Sequence, residues 1–399
     1  MERIYRLRNP VQRYAWGSRD AIPGILGRPP VPGTEAPWAE MWMGAHPSAP
    51  SRAELAGGGE IGLDELAALH PAEVLGGRVA AAFGGRLPFL FKIIAAARPL
   101  SLQSHPDPAA ARAGFERENR LGVPLTARER SYRDASHKPE LLVALGRFEA
   151  LVGFRSGREI RDRLAAAGAA MLEPEAAGLE RSGGRVRFLA ALLRLEPGAQ
   201  RELLDQVAAG IAGDDSREAA WVRRLMTDYP GDPAALAPLF LHLVELAADE
   251  GLYLGAGVLH AYLGGVGLEI MASSDNVLRG GLTDKHIDVD ELSAVVADEP
   301  GAPPVLHPSR ADSLRSYRTP APEFRLGFLD LAPGGHERVR GDQDGPEVLL
   351  SLADRCRVID GETGAALVLD RGSAVLVTAE VGAYRLEGEG GRIYVAGVP

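Results

Sequence analysis

The sequence is short of several things, and each shortage excludes a class of protein. It has one cysteine, Cys356, in 399 residues. That rules out an intramolecular disulfide framework and any multi-cysteine metal or iron–sulfur site. It has no surplus of positive charge: 44 basic residues stand against 54 acidic ones, a formal net charge of -10. A nucleic-acid-binding surface normally carries a basic patch or a high isoelectric point, so no nucleic-acid partner is expected. A small anionic ligand stays compatible with this balance, because a local basic pocket can sit in an acidic protein. No apolar run approaches the ~18 residues needed to span a membrane, so no membrane association is expected. The opening residues 1–6 alternate charged and apolar side chains and lack the apolar centre of a secretory leader, which makes a cytoplasmic location the expectation. Scarcest of all is lysine. Lys92, Lys138 and Lys285 stand beside 41 arginines.

What is present reads as an ordinary globular chain, 46% hydrophobic and 25% charged. At ~150 residues per domain its length suggests two or three domains. Residues 1–60, rich in Gly, Pro and Trp, read as loops and short strands. Residues 60–83 read as short helices broken near His70-Pro71. The runs 87–94 and 100–105 are strand candidates, and 108–131 a helix followed by a polar loop. From Gly157 to about Asp249 the chain turns to Ala, Leu, Arg and Glu, with apolar residues three and four apart, as in 188–195 and 239–246. This predicts several helices. Strand character returns at Leu252, and from about Tyr317 short β-rich runs alternate with turns, as in a sandwich or jelly roll. The fold class is therefore mainly β with an α-helical insertion. Its segments are 1–156, 157–249, 250–316 and 317–399.

Four short stretches carry chemistry-bearing side chains. On a strand, Gln103 and His105 point to one face, with Ser101 beside them. Lys138 and Glu140 share a face at the start of the run 141–145. His260 and Tyr262 follow the Gly255-Ala-Gly257 turn, and Glu269, Asp275 and Arg279 lie in a polar-apolar run before Gly280-Gly281. Singly each has a bland reading: a hydrogen-bonded pair, a surface ion pair, a structural histidine, a turn. Together, Gln103, His105, Glu140 and His260 offer two imidazoles, one carboxylate and one amide oxygen. That set suits Zn²⁺ or a neighbouring divalent ion, and would keep one net positive charge. The lysines point the same way. In a chain that otherwise uses arginine, all three fall inside or beside these stretches, where a compact ammonium differs from a broad guanidinium.

With these residues in view, the sequence resembles the type I mannose-6-phosphate isomerases, the phosphomannose isomerases of the cupin superfamily. The resemblance lies in YAWG at 14–17, AEMWMGAHPSAPS at 39–51 and LPFLFKIIAAARPLSLQSHPD at 87–107. It continues through residues 114–145, which end in SHKPELLVAL, and HAYLGGVGLEIMASSDNVLRGGLTDKHID at 260–288. The helical segment and the C-terminal third match in character alone. Departures include Arg13, Pro108 and Ser136, where the family usually has Asn, Lys and Asn; none removes a candidate ligand or Arg279.

The resemblance implies a cupin-type jelly-roll catalytic domain in two segments, a helical domain, and a second jelly-roll-like C-terminal domain. It implies one Zn²⁺ on Gln103, His105, Glu140 and His260, and an essential catalytic role for Arg279. It places Ser101 and Lys92 at the substrate phosphate, and Lys138, Tyr262, Glu269, Asp275 and Lys285 around the sugar. The implied reaction interconverts D-mannose 6-phosphate and D-fructose 6-phosphate by proton transfer between C1 and C2. Glu269, Asp275 and Lys138 are all candidates for the base. The alternatives are a catalytically silent cupin that binds a sugar phosphate, an isomerase of another hexose phosphate, and a metal-dependent oxygenase. The expected partner is a small hexose 6-phosphate, and the expected state a monomer. His46, His70, His137, His286 and Trp16 read as loop or surface residues, His137 with a share in proton transfer or in orienting Lys138, and Cys356 as a small buried hydrophobe.

Overall fold

The computed structural model describes residues 1–28, 36–311, 314–332, 335–340 and 344–399. Its described strands pair antiparallel into three sheets. The first, of nine strands, is built mostly from the C-terminal segment, with Arg325–Asp330, Arg392–Gly397, Glu347–Ser351 and Ala374–Val377 at its centre. Leu314–Tyr317 and Ser309–Ala311 extend one side and Ile4–Arg8, Arg52–Glu54 and Glu60–Gly62 the other, so the N-terminal strand pairs with a strand some 370 residues away. One sheet thus joins strands from both the segments 1–156 and 317–399. The second sheet has eleven strands, among them Glu40–Gly44, Phe89–Ala96, Glu140–Ala144, Phe148–Phe154 and His260–Ala272. A four-stranded sheet, containing Arg355–Asp360 with buried Cys356, closes the C-terminal segment.

Alternation along the strands decides which side chains meet. Phe89, Phe91 and Ile93 enter one core with Leu141, Val143, Leu268 and Ile270 of the same sheet. Phe328, Val348, Leu350 and Leu376 of the nine-stranded sheet close that core from the other side. Each such side chain contributes roughly 1.5–3 kcal/mol by leaving water. Leu90, Lys92 and Ile94 then point to the opposite face, as do Glu140 and Glu269. The sandwiched core thus fixes a second, inward face on which polar groups converge.

The His260–Ala272 strand serves both ends of that face. Residues 265–272 pair with Phe89–Ala96 and 267–271 with Glu140–Ala144, while His260 pairs with Gln103 and Val152. The register slips between Tyr262 and Gly264, and Gly265 sits at φ +131. A Cβ there would lie 2.6 Å from the Phe148 ring and 2.8 Å from the Arg147 carbonyl, so only glycine permits this bend.

The helical segment starts where expected. Ser156 accepts from the Glu159 amide while the Glu159 carboxylate accepts from the Ser156 amide, a reciprocal cap opening the Gly157–Ala166 helix. Gly184–Leu193, Pro197–Gly210 and Arg217–Asp228 follow around a core that includes Phe188, Leu203 and Leu225. One expectation fails: the run 239–246 is not a helix throughout. Ala237–Phe240 is a short helical turn, but Leu241–Leu246 is a strand paired with Phe148–Phe154. Its apolar residues satisfy a period of two as well as three and four, and pairing with an existing strand edge decides the matter.

Candidate active site

Strand ends deliver the candidate ligands to one place. Gln103 lies in the two-residue strand Gln103–Ser104, Glu140 opens Glu140–Ala144, and His260 opens His260–Ala272. His105 follows directly after the first of these. His105, Glu140 and His260 are buried, and their ligand atoms lie within 4.8 Å of one another. The Nε2 atoms of His105 and His260 stand 3.5 and 3.6 Å from the same oxygen, Glu140 Oε2.

The hydrogen bonds behind the two rings fix their tautomers. His105 Nδ1 is 2.8 Å from the Asn276 carbonyl and His260 Nδ1 is 2.9 Å from the Val258 carbonyl. A carbonyl oxygen can only accept, so both Nδ1 atoms carry the proton and both Nε2 atoms present lone pairs. Burial lowers the pKa of His105, with Glu140 acting in the opposite sense, which favours the neutral ring. Burial works against charge on Glu140, but the neighbouring His105 and Lys138 hold its carboxyl well below the usual range. Two lone pairs and a carboxylate oxygen thus converge, and His105 Nε2 and Glu140 Oε2 have no hydrogen-bond partner among the described residues. A divalent cation bound by imidazole and carboxylate satisfies all three. Gln103 stands beside them, its Nε2 3.3 Å from His260 Nε2 and its Oε1 3.4 Å from the Ser101 hydroxyl. Exchanging amide N and O by a half-turn, which leaves its shape unchanged, brings the oxygen to the ligand group.

These groups edge a cavity of about 420 Å³. Lys92 and Glu269 are direct cross-strand neighbours on its inner face, with Nζ 2.9 Å from Oε2. Glu40 lies 3.8 Å from the same ammonium and the Trp42 ring beneath it. Burial opposes the charge on Lys92, but Glu269, Glu40 and Glu140 outweigh it and raise the pKa. The other Glu269 oxygen accepts from the Tyr262 hydroxyl at 2.9 Å. Burial, assisted by Glu140 and Glu40 against Lys92, raises the pKa of Glu269. Lys138 Nζ lies 3.5 Å from Glu140 Oε1. Asp275 is half exposed, 3.4 Å from His46 Nε2; that contact holds its pKa down.

Arg279 and Lys285 add two further cations to the cavity lining. Arg279 is held by the pairing of Leu278–Arg279 with Gln103–Ser104. Neither has a carboxylate partner within ion-pair distance among the described residues. Burial lowers the pKa of both, and Arg133 adds to the effect on Arg279.

Every site residue read from the sequence lies at this cavity or among the ligands behind it: Gln103, His105, Glu140 and His260; Arg279, Lys138, Glu269 and Asp275; Ser101, Lys92, Tyr262 and Lys285. Lys92, however, lines the cavity with its ammonium already matched by Glu269 and Glu40. Trp16 and His46 also line the cavity. His137 turns away to Glu323, 2.6 Å distant. Sequence reasoning assigned no role to Glu40, Trp42 or Asn276. The spacing of Glu40 and Trp42, two apart in a strand, is a signal that would have found the first two. Asn276 acts through its backbone carbonyl, which no side-chain pattern announces.

Comparison with known proteins agrees with this geometry. Residues 4–157 match the family model for the catalytic domain of phosphomannose isomerase type I. The chain is 38% identical over 332 residues to mannose-6-phosphate isomerase of Salmonella typhimurium, covering 82% of this chain and 84% of that one. It is 30% identical over 421 residues to mannose-6-phosphate isomerase 1 of Arabidopsis thaliana, covering 99% and 94%. Among solved structures, that of the Salmonella typhimurium enzyme bound to substrate (f6p) and zinc superposes with a TM-score of 0.90 at 32% identity, over 100% of both chains. By sequence along most of its length, and by fold, the chain belongs to the type I phosphomannose isomerase family.

Proposed function

We propose that this protein interconverts mannose 6-phosphate and fructose 6-phosphate, with zinc held by His105, Glu140, His260 and Gln103. The observation that carries the reading is the convergence of two tautomer-fixed imidazoles and a carboxylate beside a cavity lined by Arg279 and Lys285, which have no carboxylate partner among the described residues. Bound there, zinc supplies Lewis-acid stabilisation of negative charge on a sugar oxygen. Glu269 moves the proton between C1 and C2. It is buried, it faces the cavity, and its raised pKa brings it closer to the working pH of a general base. Tyr262 and Lys92 hold its two oxygens in place. Arg279 and Lys138 offset charge that develops on the sugar oxygens. The phosphate is taken at the Ser101, Arg279 and Lys285 side, because Lys92 is already matched by Glu269 and Glu40. Anchoring the remote phosphate orients the reacting carbons.

The same reading takes the eleven-stranded sheet as a cupin-type jelly roll, interrupted by the helical segment, in a cytoplasmic monomer. The family resemblance and the acidic net charge support it.

The test is a coupled assay of zinc-replete protein with mannose 6-phosphate, run beside metal analysis. Fructose 6-phosphate should form, with one zinc per chain. His260→Ala should lose zinc and turnover together. Absence of turnover in protein that carries its zinc sinks the reading.

A further inference from the structure

Next to the proposed sugar cavity lies a second cavity of about 420 Å³. It shares Tyr14, Asp275, Arg279 and Lys285 with the first but reaches none of the metal-ligand candidates or Ser101. Its remaining charged lining is Arg128, Arg130, Arg133, His286 and Asp288.

The charges of this annex do not balance. Arg130 is spoken for: its guanidinium meets Glu118 at 3.0 Å and Asn119 at 2.7 Å. Among the described residues the side chains of Arg128 and Arg133 donate to backbone carbonyls, those of Asp284 and Leu125. With Arg279 and Lys285 that makes four cations without a carboxylate within ion-pair distance among the described residues. The two carboxylates in the lining are already used. Asp275 is held by His46, and Asp288 caps the Val289–Val295 helix by accepting from the Glu291 amide. The cations also repel one another, since Arg133 disfavours charge on both Arg279 and Lys285. A concave, partly buried surface of this kind raises the local concentration of anions. Paired guanidinium forks suit the tetrahedral oxygens of phosphate.

One substrate phosphate between Arg279 and Lys285 would leave Arg128 and Arg133 unmatched. We infer that the annex is a second oxyanion subsite, which takes free inorganic phosphate through Arg128 and Arg133 and shares Arg279 and Lys285 with the sugar cavity. Phosphate held there draws on the cations that anchor the substrate, so it weakens hexose phosphate binding without occupying the sugar's place. The inference rests on the proposed function only for where the substrate phosphate sits; phosphate binding itself is measured without turnover.

The test is equilibrium dialysis of zinc-replete protein against labelled inorganic phosphate, alone and with saturating hexose 6-phosphate. Two phosphates per chain should bind alone, and one should remain when the sugar cavity is filled. Arg128→Gln and the double variant R128Q/R133Q should lose that remaining phosphate and keep their melting temperature, while Arg158→Gln on the exposed helical surface changes nothing. The inhibition of turnover by phosphate should then become purely competitive in the double variant. Displacement of all phosphate by the hexose phosphate would show that the annex holds the sugar's own phosphoryl group, and the inference falls. It falls equally if Arg128→Gln and R128Q/R133Q, folded as wild type, retain the second phosphate. If two phosphates bind to protein that turns nothing over, the proposed function fails and the subsite stands.

Discussion

Lys92 and Glu269 are direct cross-strand partners, and their side chains meet at 2.9 Å on the face that lines the cavity, both largely buried. The lysine is 7% exposed and the glutamate 4%. Such a pair is held by neighbours on both sides, Glu40 and Trp42 for the lysine and Tyr262 for the glutamate. Lys92→Met removes one partner and leaves Glu269 and Glu40 buried with no cation between them. Breaking a buried pair in this way costs about 3–5 kcal/mol. The variant should unfold at markedly lower urea concentration and lose turnover, because Glu269 stays protonated when its counter-charge is gone. An unchanged urea midpoint would show that the pair is not the support described here.

The same pair shows where sequence reading stops. The convergence of His105, Glu140 and His260 was legible because their donor atoms form a recognisable metal-binding set. The start of the helices near Gly157 was legible because the composition turns there to Ala, Leu, Arg and Glu with apolar residues three and four apart; the Ser156–Glu159 cap adds a local reason. The partners of Lys92 were not, since Glu40 and Glu269 reach it only through strand order, across 52 and 177 positions. Nor was the place of Ile4–Arg8, whose hydrogen bonds are made by Ala374–Val377. The strand Leu241–Leu246 was misread for the same reason: its pattern fits two periods, and a distant neighbour chooses.

The C-terminal segment carries a buried charge cluster of its own. Glu347, fully buried, accepts from Arg338 and Arg325 at 3.0 Å and from the Tyr384 hydroxyl at 2.9 Å, with Arg340 at 3.7 Å. Burial disfavours its charge, but these arginines overcome that and depress its pKa to about 2. A carboxyl depressed in the folded state stabilises the protein above its ordinary pKa. That contribution is lost as pH falls through the ordinary range towards about 2. Melting temperature should therefore drop between pH 5 and pH 2 more steeply in wild type than in Glu347→Gln. The variant should also start lower, by about 3–5 kcal/mol, because buried Arg338 and Arg340 lose their counter-charge and Arg325 is left with Asp344 at 4.0 Å. Parallel melting curves against pH would refute the assignment.

Gly265 lets one strand serve two ends of the site. Gly265→Ala forces an L side chain into φ +131 and drives its Cβ to 2.6 Å from Phe148. Strain of this sort costs on the order of 1–3 kcal/mol, before the clash is counted. The strand relaxes by losing the bend, which shifts His260 relative to Glu269. Zinc content and turnover should fall together in G265A, with the loss of zinc partly restored by excess metal. A variant with wild-type zinc affinity would mean that the bend is not what sets the ligand geometry.

All three lysines of this arginine-rich chain, Lys92, Lys138 and Lys285, line one cavity. Lys138 is the sharpest case. Its ammonium is 3.5 Å from Glu140 Oε1, beside the metal-ligand group, and its side chain is 11% exposed. An ammonium is a compact charge that fits this space, whereas guanidinium is a wider plane with five donors that stays protonated. Lys138→Arg keeps the charge and changes the shape. It should cut kcat/KM about tenfold or more, equivalent to roughly 1.4 kcal/mol or above in transition-state stabilisation. The reverse exchange, Arg158→Lys on an exposed helix, should leave kcat/KM as it is. Measured side by side, equal and small effects would return the placing of the lysines to chance; a large effect confined to Lys138 ties it to the chemistry of the cavity.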